Sequence, residues 1–152
     1  MLVIIGIILL FIADILIKRW AGNALKDGNS ITLLNGNLRF NLLYNEGAAM
    51  GILGTRKRIL NVVTVTAVLL IAILIPDYIK KGSLLEKLGI TVAAAGAFNN
   101  SYERIVKKKV TDYISFPKLA FKKIKDIVFN LSDFLIMIGA VILSIGGRFN
   151  KK

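Results

Sequence analysis

Apolar residues in this chain are gathered into four long runs, and lysine and arginine crowd the intervals between them. Residues 59–76 are 18 uncharged positions in succession, close to the ~20 that a helix needs to cross a hydrocarbon layer. Inside such a layer the backbone finds no water to bond, so a run of this length is confined to a helix. Composition agrees, since 55% of the 152 residues are hydrophobic and the mean hydropathy is +0.67. The chain therefore reads as an all-α membrane protein, one domain over residues 1–152, with four transmembrane helices at approximately 2–20, 59–76, 84–102 and 131–147.

The runs differ in character. The first, residues 2–17, is interrupted by Asp14 and closed by Lys18, Arg19 and Trp20. A cleaved secretory signal would carry a basic leader and no acid in its apolar stretch, so this run is read as a retained span. The third has an apolar centre of only 11 residues, 88–98, and must extend through Leu84 and Tyr102 to cross. Its Gly89, Ala93, Ala94, Ala95, Gly96 and Ala97 suit a helix packed closely on others. The fourth opens near Leu131, holds Asp133 in its first turn and ends at Gly146-Gly147 before Arg148, Lys151 and Lys152.

The net charge of +12 lies between apolar runs, where cations contact lipid headgroups or set topology, so no nucleic-acid partner is expected. Four crossings put both termini on one side together with Lys80, Lys81, Lys87, Arg148, Lys151 and Lys152. That leaves 15 of the 21 basic residues on the other side. Counted alone, the positive charge places the termini outside.

The first connection carries a β signal. Residues 30–34 and 38–44 flank Asn35-Gly36, a two-residue hairpin signature. Leu38, Phe40, Leu42 and Tyr44 alternate with other residues, which predicts a strand with one apolar face lying on lipid or on the helices.

Neither histidine nor cysteine is present, which removes Ser-His and Cys-His nucleophiles and His- or Cys-ligated zinc. Carboxylate chemistry or a lysine-assisted serine remains, and no metal or cofactor is expected. Carboxylates near lipid are costly to keep. Asp14 and Lys18 are four apart with the acid first, the spacing of an ion pair on one helix face, with Lys18 snorkelling at the helix end. Residues 45–51, Asn-Glu-Gly-Ala-Ala-Met-Gly, read as a turn leading into a helix. Asn99-Asn100-Ser101-Tyr102-Glu103-Arg104 is a polar helix end, and Val110-Thr111-Asp112-Tyr113-Ile114 a short extended piece with one acid. Phe129-Asn130-Leu131-Ser132-Asp133 opens the last helix, where Asp133 suits the positive end of the helix dipole.

Each of these has an ordinary structural reading, but their order is specific. Asp-x-x-x-Lys, Asn-x-Gly-Ala-Ala, Asn-x-x-acid-Arg, Val-x-Asp-Tyr and Phe-Asn-x-Ser-Asp, in this sequence over nearly the whole chain, resemble the lipoprotein signal peptidases (type II signal peptidases). The resemblance implies a bacterial aspartic protease with four transmembrane helices and a small β-element at the extracytoplasmic surface. Such an enzyme cuts prolipoproteins before a diacylglyceryl-modified cysteine. It implies Asp112 and Asp133 as the catalytic pair, with Asn45, Gly47, Asn100, Arg104 and Asn130 positioning substrate or supporting the pair. Asp14 and Lys18 match a supporting pair nearer the membrane. Glu103 stands where the family usually has Asp, Met50 where it has Phe, and Ser132 where Ala is commoner; Glu103 is expected to support Arg104 rather than catalyse. The implied partners are a diacylglyceryl prolipoprotein and a phospholipid membrane, and the implied state is a monomer. The implied location is the bacterial cytoplasmic (inner) membrane, multi-pass, with cytoplasmic termini and the site near the extracytoplasmic surface, against the charge count. The competing reading is a small four-helix proton-coupled transporter, which would depend on Asp14 above all.

Overall fold

The computed structural model describes residues 1–46, 57–119 and 127–149. Long helices follow the four apolar runs: α1 (Leu2–Ala24), α2 (Lys57–Lys81), α3 (Leu84–Tyr102) and α4 (Leu131–Phe149). Among the described residues one window, Leu131–Arg148 with mean hydropathy 1.6, is long and apolar enough by itself to cross a membrane. The apolar run of α1 is interrupted by Asp14, Lys18 and Arg19, although the helix itself is continuous, and α3 gives its last turn to Asn99, Asn100 and Ser101.

Small residues set the packing. A Cβ on Gly89 would sit 2.8 Å from the Leu143 nitrogen, one on Gly139 would collide with the Ala93 backbone, and one on Gly96 with the Ser132 carbonyl. Helices α3 and α4 thus touch backbone to backbone, as the small-residue stretch predicts. The start of α3 is fixed by a capping box: Ser83 Oγ accepts from the Glu86 amide (3.2 Å), and Glu86 Oε2 accepts from the Ser83 amide (2.8 Å). Val3 and Ile7 of α1, Ile75 of α2 and Ile90, Ala94 and Ala95 of α3 form the main apolar cluster. On α1 the buried face also holds Asp14 and Lys18, while Leu9, Ile12 and Leu16 are exposed. Charge inside and hydrocarbon outside reverses the order that water imposes.

The β-element is larger than the single predicted hairpin. Four antiparallel strands, β1 (Ser30–Leu33), β2 (Leu38–Asn45), β3 (Val110–Ser115) and β4 (Val128–Phe129), lie side by side in chain order. Leu33 pairs with Leu38, so the β1–β2 loop has four residues, 34–37, rather than two. Leu34, Asn35 and Gly36 take φ of 53°, 53° and 88°. Three left-handed residues in a row reverse the chain more gradually than the two-residue turn that Asn-Gly suggests. Buried Ala21, Leu25 and Tyr113, with Phe40, Leu42, Ile114 and Leu131 around them, clamp the sheet to the end of α1 and the start of α4.

The predicted alternation along β2 holds only for part of its length. Phe40 pairs with Ile114 but Leu43 with Asp112, which leaves one extra residue in β2 between them. Such a bulge reverses which side chains share a face. Beyond it, Leu43 and Asn45 join the face of Asp112, and Tyr44 turns outward, 47% exposed. An unbroken strand would have aimed Leu42 and Tyr44 at Asp112. The bulge brings an amide there instead.

Candidate active site

The first turn of α4 is organised by Asn130 and Asp133. Asn130 Oδ1 accepts from the Asp133 amide and Asp133 Oδ2 accepts from the Asn130 amide, both at 3.0 Å. This is a reciprocal cap at the helix start, so Asp133 does more than favour the dipole: one of its oxygens is pinned to the backbone. The next free amide, Leu131 N–H, donates to the Tyr113 hydroxyl at 3.2 Å. With Asn130 Oδ1 committed as acceptor, its Nδ2 is left as donor and reaches Asp112 Oδ1 at 2.6 Å. One asparagine therefore orients both acids.

Asp112 sits on β3, 2% exposed, and its Oδ2 accepts from Asn45 Nδ2 at 2.9 Å. Asp133 Oδ1 accepts from Asn100 Nδ2 at 2.8 Å. Burial pushes the Asp112 carboxyl up to about 6; the Asn45 and Asn130 amides pull against this, and the charge of Asp133 adds to it. Burial holds the Arg104 guanidinium below its ordinary value, and the negative charges of Asp112 and Asp133 offset only part of that cost.

Behind Asp133 lies a buried ionic cluster. Lys18 is 3% exposed, with Nζ 3.2 Å from Asp14 Oδ2, 3.0 Å from Glu103 Oε2, 3.1 Å from Asn99 Oδ1 and 2.9 Å from Asn100 Oδ1. The predicted Asp14–Lys18 pair is present, but Lys18 does not snorkel. Two carboxylates and two amide oxygens replace the water that its ammonium gives up on burial. Since Asn100 Oδ1 accepts from Lys18, its Nδ2 must face Asp133, so the lysine sets the orientation of an amide on the acid. The Ser132 hydroxyl donates to Asp14 Oδ2.

Glu103 is fully buried and accepts from the Thr111 amide (3.0 Å), Thr111 Oγ1 (2.9 Å) and Lys107 Nζ (2.9 Å) besides Lys18. Burial opposes its charge, but Lys18, the Thr111 amide and Lys107 together hold its carboxyl below the usual range. Its support goes to the lysine cluster and to β3 one residue before Asp112. On the resemblance to the lipoprotein signal peptidases, Glu103→Asp is expected to retain peptidase activity, whereas Arg104→Ala is expected to lose at least ~10-fold, ~1.4 kcal/mol of barrier. Equal losses in the two variants would assign Glu103 a larger part.

Of the sequence candidates, Asp112, Asp133, Asn45, Asn100 and Asn130 are joined by direct hydrogen bonds, and Asp14, Lys18 and Glu103 form the adjoining cluster. Gly47, and with it Met50, lies outside the described residues. Asn99, Thr111, Tyr113 and Ser132 were legible only as neighbours of candidates. Asn99 is fully buried, bridging Lys18 and the Phe11 carbonyl (2.9 Å).

Known proteins share this arrangement of sequence and fold. A family profile described as signal peptidase (SPase) II matches residues 6–148. The lipoprotein signal peptidase of Clostridium novyi (strain NT) is 31% identical over 146 residues, covering 95% of this chain and 93% of the relative. That of Clostridioides difficile (strain 630) is 32% identical over 145 residues, with the same coverage. A bacterial membrane enzyme solved by the in meso method at 2.3 Å superposes with a TM-score of 0.79 at 23% identity, over 99% of this chain and 89% of that one. A second, at 1.9 Å, gives 0.76 at 23% identity, over 94% and 90%. Nothing among them supports a transporter built on Asp14. With its match running almost from end to end, the chain belongs to the signal peptidase II family, bacterial membrane peptidases that remove signal peptides from prolipoproteins.

Proposed function

We propose that this chain is an aspartic endopeptidase that hydrolyses the peptide bond before the diacylglyceryl-modified cysteine of a prolipoprotein, with Asp112 and Asp133 as the catalytic pair. The observation that carries the reading is Asn130, which donates to Asp112 and caps the helix turn that holds Asp133. Two neighbouring carboxylates do not ionise together easily, so the pair retains one proton. The ionised member takes a proton from a water, which attacks the scissile carbonyl carbon; the protonated member gives its proton to the carbonyl oxygen. Collapse of the tetrahedral species breaks the C–N bond: the pair gives a proton to the leaving amine and takes one back from a hydroxyl of the tetrahedral carbon, which becomes the new carboxyl group, so the pair again holds one proton. The proton belongs to the pair, not to either residue. Asn45 and Asn100 fix the carboxylate orientations, and the Arg104 charge favours ionisation of the pair.

In this reading α1, α2, α3 and α4 all cross the membrane, the termini are cytoplasmic and the sheet lies at the extracytoplasmic surface. Exposed apolar side chains on α1, on α2 (Leu69, Leu70, Ile73) and on α4 (Ile138, Val141, Ile145) support three lipid-facing helices, with the largely buried α3 packed among them. The charge count opposes this orientation. It acts mainly through short loops near span ends, however, whereas Arg39 and Lys118 belong to a folded sheet and its flank. At the surface the substrate's acyl chains stay in lipid while the scissile bond reaches the acids, and the enzyme works as a monomer.

Incubating the purified protein with a diacylglyceryl prolipoprotein tests this. A size shift that persists in EDTA is expected; no shift, or one abolished by EDTA and restored by a divalent ion, would overturn the reading. The pH profile follows from Asp112. Because its carboxyl is raised to about 6, the loss of the pair's last proton is centred at about that pH and not at ~4. The alkaline limb of kcat/KM should therefore fall at about 6 or higher, not near the ordinary carboxylate value of ~4.

A further inference from the structure

Thr111 and Tyr44 are register partners on the sheet face opposite Asp112, and they wall a cavity of about 500 Å³ that catalysis does not use. Lys18, Arg19, Lys107 and Lys109 line it too, the last with its Nζ 3.6 Å from the Tyr44 ring centre. Four cations there face two carboxylates, Asp14 and Glu103, both already bound by Lys18. Among the described residues neither Arg19 nor Lys109 has a carboxylate partner. This is a built, open-sided excess of positive charge, suited to an anion with several acceptor oxygens. Its position narrows the source. Exposed Leu9, Ile12 and Leu16 make a helical stripe on α1 that runs at steps of three and four into Arg19, with exposed Trp20 beside it. An acyl chain lying on that stripe carries its phosphate to the mouth of the cavity.

We propose that this cavity is a phosphate site filled by the headgroup of an anionic phospholipid. It rests on the membrane reading of α1 and goes beyond the peptidase reaction. Bound there, the phosphate sits behind Thr111, one residue from Asp112, and beside the lysine that orients Asn100.

Trp20 is the only tryptophan in the chain and reports on the site directly. The protein is reconstituted in phosphatidylcholine vesicles doped with brominated phosphatidylglycerol or with an equal mole fraction of brominated phosphatidylcholine, and Trp20 quenching is compared. Stronger quenching by the glycerol lipid is expected, with the excess lost in Arg19→Gln/Lys109→Gln and kept in Lys80→Gln/Lys81→Gln, which removes the same charge at the far end of α2. Equal quenching by the two lipids, or equal loss of the excess in both double variants, overturns the site. Quenching by neither lipid overturns the membrane placement of α1 as well, which keeps the two failures apart. In detergent, at matched ionic strength, soluble short-chain phosphatidylglycerol should raise the thermal midpoint more than inorganic phosphate. An equal, Arg19-dependent rise with inorganic phosphate alone assigns the cavity to free phosphate and overturns the lipid assignment.

Discussion

Asp112→Asn and Asp133→Asn are each expected to lower prolipoprotein cleavage by roughly 10²–10⁴-fold, the range that positioned acid–base groups contribute. Either change removes the shared proton and almost no volume. The hydrogen bonds make the cost to the fold small but not zero. Both oxygens of Asp112 accept, from Asn130 and Asn45, so an amide in its place sets a donor against a donor at one of them. At Asp133 the conflict arises with Asn100 or with the Asn130 amide. One lost bond is about 1 kcal/mol, which leaves the protein folded. Cleavage rate and thermal midpoint, measured for both variants in one detergent, separate chemistry from stability. Near wild-type processing by both variants would remove the pair from the mechanism.

How much of this was legible depends on sequence distance. The bounds of α3 follow the reading at 84–102, because Leu84 begins directly after the Ser83 cap and the polar residues Asn99 to Tyr102 close it. The glycines and alanines of α3 announced close packing against another helix, since a small or missing side chain is a local fact, but not that the partner is α4. The bulge in β2 was not legible. It depends on which β3 residue faces which β2 residue, and those strands lie more than 60 positions apart. Without the bulge, Tyr44 looks like the inward residue and Asn45 the outward one. Lys18 misled for a similar reason: Asp14 is four residues away and visible, while Asn99 and Asn100 are 81 and 82 away. A lysine seen with one partner near a helix end reads as a snorkel; with four oxygens around it, it is a buried hub. Asn130 was recognisable as a candidate only through the family resemblance. Its double duty, capping Asp133 while donating to Asp112, requires β3 and α4 to meet.

Lys18→Met should therefore be more damaging to the fold than any change to the acids it supports. Methionine has nearly the shape of lysine without the charge, and it leaves Asp14 and Glu103, both fully buried, facing each other's cluster with no ammonium between them. Glu103 keeps Lys107 and Thr111, but Asp14 keeps only the Ser132 hydroxyl among the described residues. Breaking a buried ion pair from one side costs about 3–5 kcal/mol, against a total stability of about 5–15 kcal/mol. A large fall in thermal midpoint is expected, and Asn100, no longer held by Lys18, should also lose its orientation on Asp133. The cause is separable from simple loss of packing. Lys18→Met combined with Asp14→Asn and Glu103→Gln removes all three buried charges while keeping their shapes, leaves only the partly exposed Lys107 without its carboxylate, and should recover most of the midpoint, because no uncompensated charge remains buried. If cleavage stays low in that triple variant while stability returns, Lys18 acts on the acids through Asn100. If Lys18→Met alone keeps a near wild-type midpoint, the buried hub does not hold the fold together, and the orientation of Asn100 must come from elsewhere.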